Sequence, residues 1–118
     1  MTGLLEASAA SGTPDAAEVF AALGDKHRLG ILRGLGMRPA SATALAADAP
    51  VTRQAVVKHL RVLERVGLIA ARREGREVVY DVRLEGLQTP VQWLDDIAAA
   101  WDRRLDAVKQ AAEGPSEG

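Results

Sequence analysis

The clearest pattern of hydrophobic and polar positions runs from residue 51 to residue 67. At about 100° per residue, one stripe of a helix collects three apolar side chains: Val56, Leu60 and Leu63. The opposite stripe carries an amide and three cations: Gln54, Lys58, Arg61 and Arg65. Thr52 stands at the N-cap position and Gly67 ends the pattern. The sequence therefore predicts a helix over 52–66 that buries one face and presents a basic one.

Three shorter helices are predicted before this segment. Asp15, followed by Glu18, matches a capping box for the first. Asp25 and Ser41 stand at the N-cap positions of the second and the third. Pro50 ends the third helix shortly before the next one begins. Two short helices joined by such a tight turn are typical of a helix-turn-helix.

After the basic helix the period of the apolar positions changes to that of a strand. Two strands are predicted, joined by a short turn in which Gly75 supplies the positive φ. This β-hairpin, a wing over 72–83, has arginines at its tip: Arg72, Arg73 and Arg76. The predicted fold is mainly α, formally α+β: a winged helix-turn-helix of about five helices with a two-stranded wing.

The last predicted helix begins with Thr89 as N-cap and Pro90 at its first position and runs to Ala112. Along it, apolar residues recur at alternating steps of three and four: Val91, Leu94, Ala98, Trp101, Leu105, Val108 and Ala112. Such a repeat is typical of a coiled-coil-like contact. A domain this small cannot cover so long a face, so the pattern favours a homodimer. The alternative is a helix that covers only its own core.

Composition restricts the other possibilities. The 118 residues fit one domain, predicted over 14–112 between disordered tails at 1–13 and 113–118. The absence of cysteine excludes disulfides and thiolate metal sites. No long apolar run and no signal-peptide pattern occurs, so we expect a cytoplasmic protein with no membrane partner. Neither a phosphate-binding loop nor a nucleophile motif is present, so we predict no enzyme activity and no cofactor.

The net charge of −1 conceals a local basic region. Residues 51–83 contain eight Lys and Arg against four Asp and Glu, a balance of +4. A concentrated positive charge on the predicted helix and wing is what the DNA phosphate backbone requires.

Three blocks of the sequence resemble the ArsR/SmtB family of bacterial winged-helix repressors: ALGDKHRLGILRGL at 22–35, VTRQAVVKHLRVLERVGLI at 51–69 and REGREVVYDV at 73–82. The likeness extends over about residues 15–110. It implies a dimeric repressor made of helices, a wing and flanking dimer helices. Three positions depart from the family pattern: many members have Pro-Thr in place of Lys26-His27, and Ser in place of Val57.

For such a repressor we expect ten DNA-binding residues: Ser41, Thr52, Arg53, Gln54, Val57, Lys58, His59, Arg61, Arg73 and Arg76. Gln54 is the first candidate for reading a base, and Val57 can pack on a thymine methyl group. The expected dimer interface joins the first helix to the last: Val19, Phe20, Leu23, Val91, Leu94, Ala98, Trp101, Leu105 and Val108.

Metal binding is not predicted, since family sensors use cysteines or Asp/His pairs on the last helix and this chain has neither. His27 is interpreted as a first-turn surface residue and His59 as a packing or phosphate-contacting one. Two alternatives stay open: a winged-helix protein-interaction module that does not bind DNA, and a repressor gated by a small molecule in a pocket near Trp93 and Trp101. The sequence does not identify an effector.

Overall fold

The computed structural model describes residues 15–113. It contains five helices: α1 (Ala16–Leu23), α2 (Lys26–Met37), α3 (Ala42–Ala47), α4 (Arg53–Arg65) and α5 (Leu84–Glu113). Three strands complete it: β1 (Ala40–Ser41), β2 (Ile69–Glu74) and β3 (Glu77–Val82). The predicted tails at 1–13 and 113–118 lie outside the described residues, apart from Glu113, the last residue of α5.

The helices α1 to α4 begin at the predicted N-caps. The side chains of Asp15, Asp25, Ser41 and Thr52 each accept a hydrogen bond from a backbone N–H two or three residues further on, at 2.8–3.1 Å. These bonds satisfy N–H groups that have no partner within the helix. Local sequence signals therefore determine where these four helices begin.

The apolar stripe of α4 lies at the centre of the hydrophobic core. Leu60 and Leu63 are fully buried, and they pack in one cluster with Leu68, which follows the helix, and with Leu35 of α2. Val19 of α1, which was expected at the dimer interface, is also in this cluster and is 2% exposed. The Val19 side chain packs in the core of its own chain, so it is not accessible to a second chain in a dimer.

The wing has one strand more than the predicted two. The sheet order is β1-β3-β2 and both pairings are antiparallel. The added strand pairs Ala40 with Tyr80 and Ser41 with Val79. Two residues are too few to produce an alternating pattern in the sequence, so only the pairing with β3 reveals β1. The hairpin turn itself is as predicted, with Gly75 at φ 63°.

The start of α5 differs from the prediction. The helix begins at Leu84, so Thr89 is not its N-cap, and Pro90 is buried inside it. The first turn is placed by tertiary contacts, because the backbone of Gly86 packs so closely on Gly67 that a Cβ at position 86 would overlap the Gly67 carbonyl. The capping-box signature at 89–92 was therefore a misleading local signal.

In its full length α5 has 30 residues, which corresponds to about 45 Å at 1.5 Å per residue. Within residues 15–113, no helix combines the length and the apolar character that crossing a bilayer would require.

Candidate nucleic-acid interface

The exposed face of α4, together with its N-cap, lines an open surface groove. Six of the residues predicted to bind DNA line this groove: Thr52, Arg53, Gln54, Val57, Lys58 and Arg61. All are exposed except Val57, which is half-buried. The face combines an amide, three cations and one apolar contact on a single helix, which is a suitable composition for reading base edges and phosphates.

A second groove of about 410 Å³ connects this face to the wing. It is lined by Ser41, at the start of α3, and by Arg76, at the hairpin turn. Arg53, Val57 and Arg61 line both grooves, so the two surfaces are continuous. The fold thus brings together residues that lie 35 positions apart in the chain, from Ser41 to Arg76.

Arg53 is held in place by a residue that the sequence analysis missed. Its Nε donates a hydrogen bond to Oγ1 of Thr43 at 3.1 Å, which ties the first turn of α4 to α3. The two residues are ten positions apart on separate helices, so no helical or strand period predicts the contact. The bond joins the two helices at the edge of the groove.

The three arginines of the wing differ in their partners. Arg72 donates from Nε to Glu74 at 2.8 Å and from Nη1 to Asp81 at 3.5 Å. The hydrogen bond to Glu74 raises the pKa of Arg72, and this arginine braces the hairpin. Arg73 and Arg76 form no ion pair with the residues described here, 15–113. Of these two only Arg76 lines the groove beside α4.

His59 lies apart from both grooves. Its ring stacks on that of His27, with 5.8 Å between the centroids and an angle of 22° between the planes. Nη1 of Arg28 is 3.5 Å from Nδ1 of His59. His27 is exposed in the first turn of α2, as predicted. His59 is therefore turned toward the start of α2 and away from the face that carries Gln54.

The start of α2 contributes a carboxylate beside these rings. Oδ1 of Asp25 accepts hydrogen bonds from the backbone N–H of His27 at 2.8 Å and of Arg28 at 3.1 Å. The backbone hydrogen bond from Arg28, aided by that from His27 and by the His59 and Arg28 side chains, lowers the pKa of Asp25. The carboxylate is thus held in its ionised form next to two imidazoles.

The apolar face of α5 remains exposed on the single chain. Its large side chains are 47–62% exposed: Val91, Leu94, Trp101, Leu105 and Val108. Ala98 is exposed among them. Phe20 and Leu23 of α1 are half-buried beside this helix, and the Phe20 ring meets Trp93 edge-on with 5.4 Å between centroids. Eight of the nine expected dimer residues therefore form an accessible apolar surface.

The surroundings of the two tryptophans are different. Trp93 lines an open depression together with Glu85, Gln88, Thr89, Val91, Gln92 and Asp96. Trp101 lies outside this depression, and the guanidinium of Arg104 is 5.5 Å from the centre of its ring.

Comparison with known proteins agrees with this architecture. A helix-turn-helix domain model matches residues 23–72. An HTH-type transcriptional regulator of Mycobacterium tuberculosis, Rv2034, is 35% identical over 106 residues, which cover 90% of this chain and 92% of the relative. An ArsR-like transcriptional regulator from Rhodococcus sp. RHA1 is 46% identical, with a TM-score of 0.71 over 81% of this chain and 91% of the other. This chain belongs to the ArsR family of transcriptional regulators.

A second solved structure supports the fold of this ArsR-family protein. The homodimeric winged helix-turn-helix DNA-binding domain of Mb0332 from Mycobacterium bovis is 26% identical, with a TM-score of 0.61 over 77% of this chain and 84% of the other. The predicted winged helix-turn-helix is therefore confirmed. The relatives are transcriptional regulators, so the prediction that the protein is not an enzyme is confirmed as well.

Proposed function

We propose that this ArsR-family regulator is a homodimeric repressor that binds an inverted-repeat DNA operator. The observation that carries the proposal is the continuous basic surface formed by the two grooves of α4 and the wing. A helix with exposed amide and cationic side chains, next to a β-hairpin with an arginine at its turn, matches the width of a major groove and its flanking phosphates.

Within α4, the first turn has two roles in this proposal. Gln54 is exposed and forms bidentate hydrogen bonds to adenine. Arg53 is anchored to Thr43, so it contacts a phosphate from a fixed position and sets the register of the helix. Thr52 and the N-terminus of α4 add a further phosphate contact, because unpaired N–H groups and the helix dipole favour an anion there.

The remaining basic side chains divide between bases and backbone. Lys58 and Arg61 follow Gln54 along the exposed face and enter the groove with it. Arg76, with Ser41 on the other wall of the second groove, contacts the sugar-phosphate backbone. Arg73 extends from the wing toward the backbone or the minor groove. His59 faces α2, so its part in DNA binding is limited to supporting α4.

The second copy is needed to cover α5. Five large apolar side chains on this helix are about half-exposed or more in the single chain, and monomeric proteins seldom leave such a surface open. The homodimeric Mb0332 domain supports the same assembly. A two-fold axis at α5 would direct two α4 helices to half-sites whose centres are about 10 bp apart. A dimer bound over a promoter excludes polymerase and so represses transcription. Because the operator is on the chromosome, the proposed location of the protein is the cytoplasm.

The test is to select DNA with the purified protein. Genomic fragments retained by it are sequenced, and the enriched sites should be inverted repeats with half-site centres about 10 bp apart. Binding to the best site should then weaken by about 10³-fold or more between about 50 and 200 mM salt if six or more phosphates are contacted. No enrichment together with a flat salt response would refute the proposal and support the protein-interaction module instead.

A further inference from the structure

Three potential metal ligands meet where the start of α2 contacts α4. Asp25 is the N-cap of α2 and His27 lies in its first turn, whereas His59 lies in the middle of α4, 32 residues after His27. One ligand atom from each of the three side chains lies within 4.8 Å of the other two. The expectation that this chain has no metal site considered cysteines and the last helix, and it did not include this contact.

We propose that Asp25, His27 and His59 form a binding site for a divalent transition-metal ion, with Zn²⁺ as its simplest occupant. Two imidazoles and one carboxylate are a donor set that Zn²⁺ accepts with a water molecule in the fourth position. Imidazole also selects against Mg²⁺ and Ca²⁺, which prefer oxygen ligands. The site is separate from the DNA-binding proposal and does not depend on it.

The three ligand atoms, which lie within 4.8 Å of one another, must approach to about 3.3 Å to hold a tetrahedral ion. Nδ1 of His27 is 3.9 Å from Oδ1 of Asp25, whereas ligand atoms on one tetrahedral zinc lie about 3.3 Å apart, given bonds of about 2.0–2.1 Å. The side chain of His27 is 44% exposed and that of Asp25 is 36% exposed, so water and an ion can enter. The exposed His27 ring can rotate to shorten its distances to the other two ligands.

The capping role of Asp25 is compatible with metal binding. Both capping hydrogen bonds end on Oδ1, the oxygen that lies 3.9 Å from Nδ1 of His27. Oδ2 takes neither capping bond, so the carboxylate keeps lone pairs with which it can bind an ion beside the His27 ring. The cap holds the carboxylate at a fixed position and keeps it ionised. The backbone N–H groups at the helix start therefore hold this ligand in place before an ion binds, as hydrogen bonds to metal ligands usually do.

Arg28 is the group that opposes a cation here. Its Nη1 is 3.5 Å from Nδ1 of His59, and its Nε donates to the carbonyl of Ala22 at 2.7 Å. The contact with His59 is at the outer limit of a hydrogen bond, so it is weak and the ion can displace it. The bond to Ala22 holds the rest of the guanidinium in place, so we expect the positive charge to reduce the affinity without closing the site.

The experiment titrates the full-length protein with Zn²⁺ and observes its two imidazoles by NMR. Since the chain has only two histidines, each ring gives an assignable signal. We expect one Zn²⁺ per chain, with both signals shifting together, and no shift with Mg²⁺. Binding should also raise the midpoint of thermal unfolding, because the ion binds only the folded arrangement.

Two variants locate the site and a third is the control. His27→Gln removes one ligand, and Asp25→Asn removes the charged oxygen while an asparagine still caps α2. Each should weaken Zn²⁺ binding at least tenfold by calorimetry, since even outer-shell changes cost about 10–100-fold. Asp95→Asn removes an exposed carboxylate on α5 and should leave the affinity unchanged.

The proposal fails if Zn²⁺ shifts one imidazole without the other, or if His27→Gln binds Zn²⁺ as tightly as the unmodified protein. Circular dichroism establishes that each variant is folded. If a variant does not fold, the NMR titration of the unmodified protein decides the matter alone.

Discussion

The helices α4 and α5 have the same kind of apolar stripe but opposite surroundings. In α4 the stripe is buried within the chain, with Val56, Leu60 and Leu63 at most 1% exposed. In α5 the side chains at equivalent spacing stay about half-exposed, as Leu105 at 47% and Trp101 at 53% illustrate. An amphipathic pattern therefore indicates that one face of the helix is buried, but it does not indicate whether the same chain or a second chain buries it.

This difference separates two contributions to the protein. The buried stripe of α4 stabilises the fold and fixes the opposite, basic face outward. The exposed stripe of α5 contributes little to the folding stability of the single chain. Its burial from water instead stabilises the association of two chains. Four experiments test this division, beginning with the largest expected effect.

The same substitution in both stripes should have different results. Leu60→Asp places an unpaired carboxylate in the core, which should cost more than about 4–5 kcal/mol and unfold the protein. Leu105→Asp should leave the chain folded and shift it to monomer. Circular dichroism measures folding and sedimentation measures assembly. If both variants unfold, the apolar face of α5 belongs to the core of its own chain.

Truncation of the largest side chain of the α5 stripe should weaken assembly. Trp101→Ala removes burial worth about 1.5–3 kcal/mol per copy, and the two-fold axis applies the loss twice. The variant should dissociate at micromolar concentration and lose affinity for a full operator, because a monomer engages one half-site only.

Sedimentation and a shift assay on full and half operators check this. Arg103→Ala, on another side of α5, is the matched control and should stay dimeric. If Trp101→Ala also stays dimeric and binds the full operator normally, the dimer axis does not pass along α5.

On the DNA-binding surface, substitutions should separate the residues that recognise bases from those that position the protein on the DNA backbone. Gln54→Ala should lose about 1–3 kcal/mol of discrimination at one base pair in each half-site. Arg76→Ala should weaken binding to all sequences alike and reduce the salt slope by about one, as the loss of a phosphate contact does. Shift assays over a set of operator variants measure both effects. Equal losses on every sequence for both variants would assign base reading to Lys58 or Arg61.

The smallest effect concerns where the two helices begin. Thr52→Ala removes the cap of α4 and should lower the free energy of unfolding by about 0.5–2 kcal/mol. Thr89→Ala changes a position inside α5, where alanine is a good helix former, so it should be neutral or slightly stabilising. Urea denaturation at equal protein concentration compares the two. A larger loss for Thr89→Ala would mean that α5 begins at residue 89.

Much of the framework was predictable because its signals are local. Four N-caps, the turn at Gly75 and the two faces of α4 each depend on residues within a few positions of one another. Three of the DNA-binding candidates, Gln54, Lys58 and Arg61, follow from the polar stripe of α4 alone, and they line its groove. The family resemblance then supplied the expectation that Ser41 and Arg76 join them, and the structure places both beside α4.

The amino-acid sequence by itself determined which helices form, where four of them start and which face of α4 is basic, since helix capping and periodicity act over one or two turns. Only the tertiary structure decided that α5 begins at Leu84, because Gly86 packs on Gly67, 19 residues earlier. It also decided that β1 joins the sheet, that Val19 is core and that His27 meets His59. These features depend on contacts between distant segments, and such contacts leave no period or motif in the sequence.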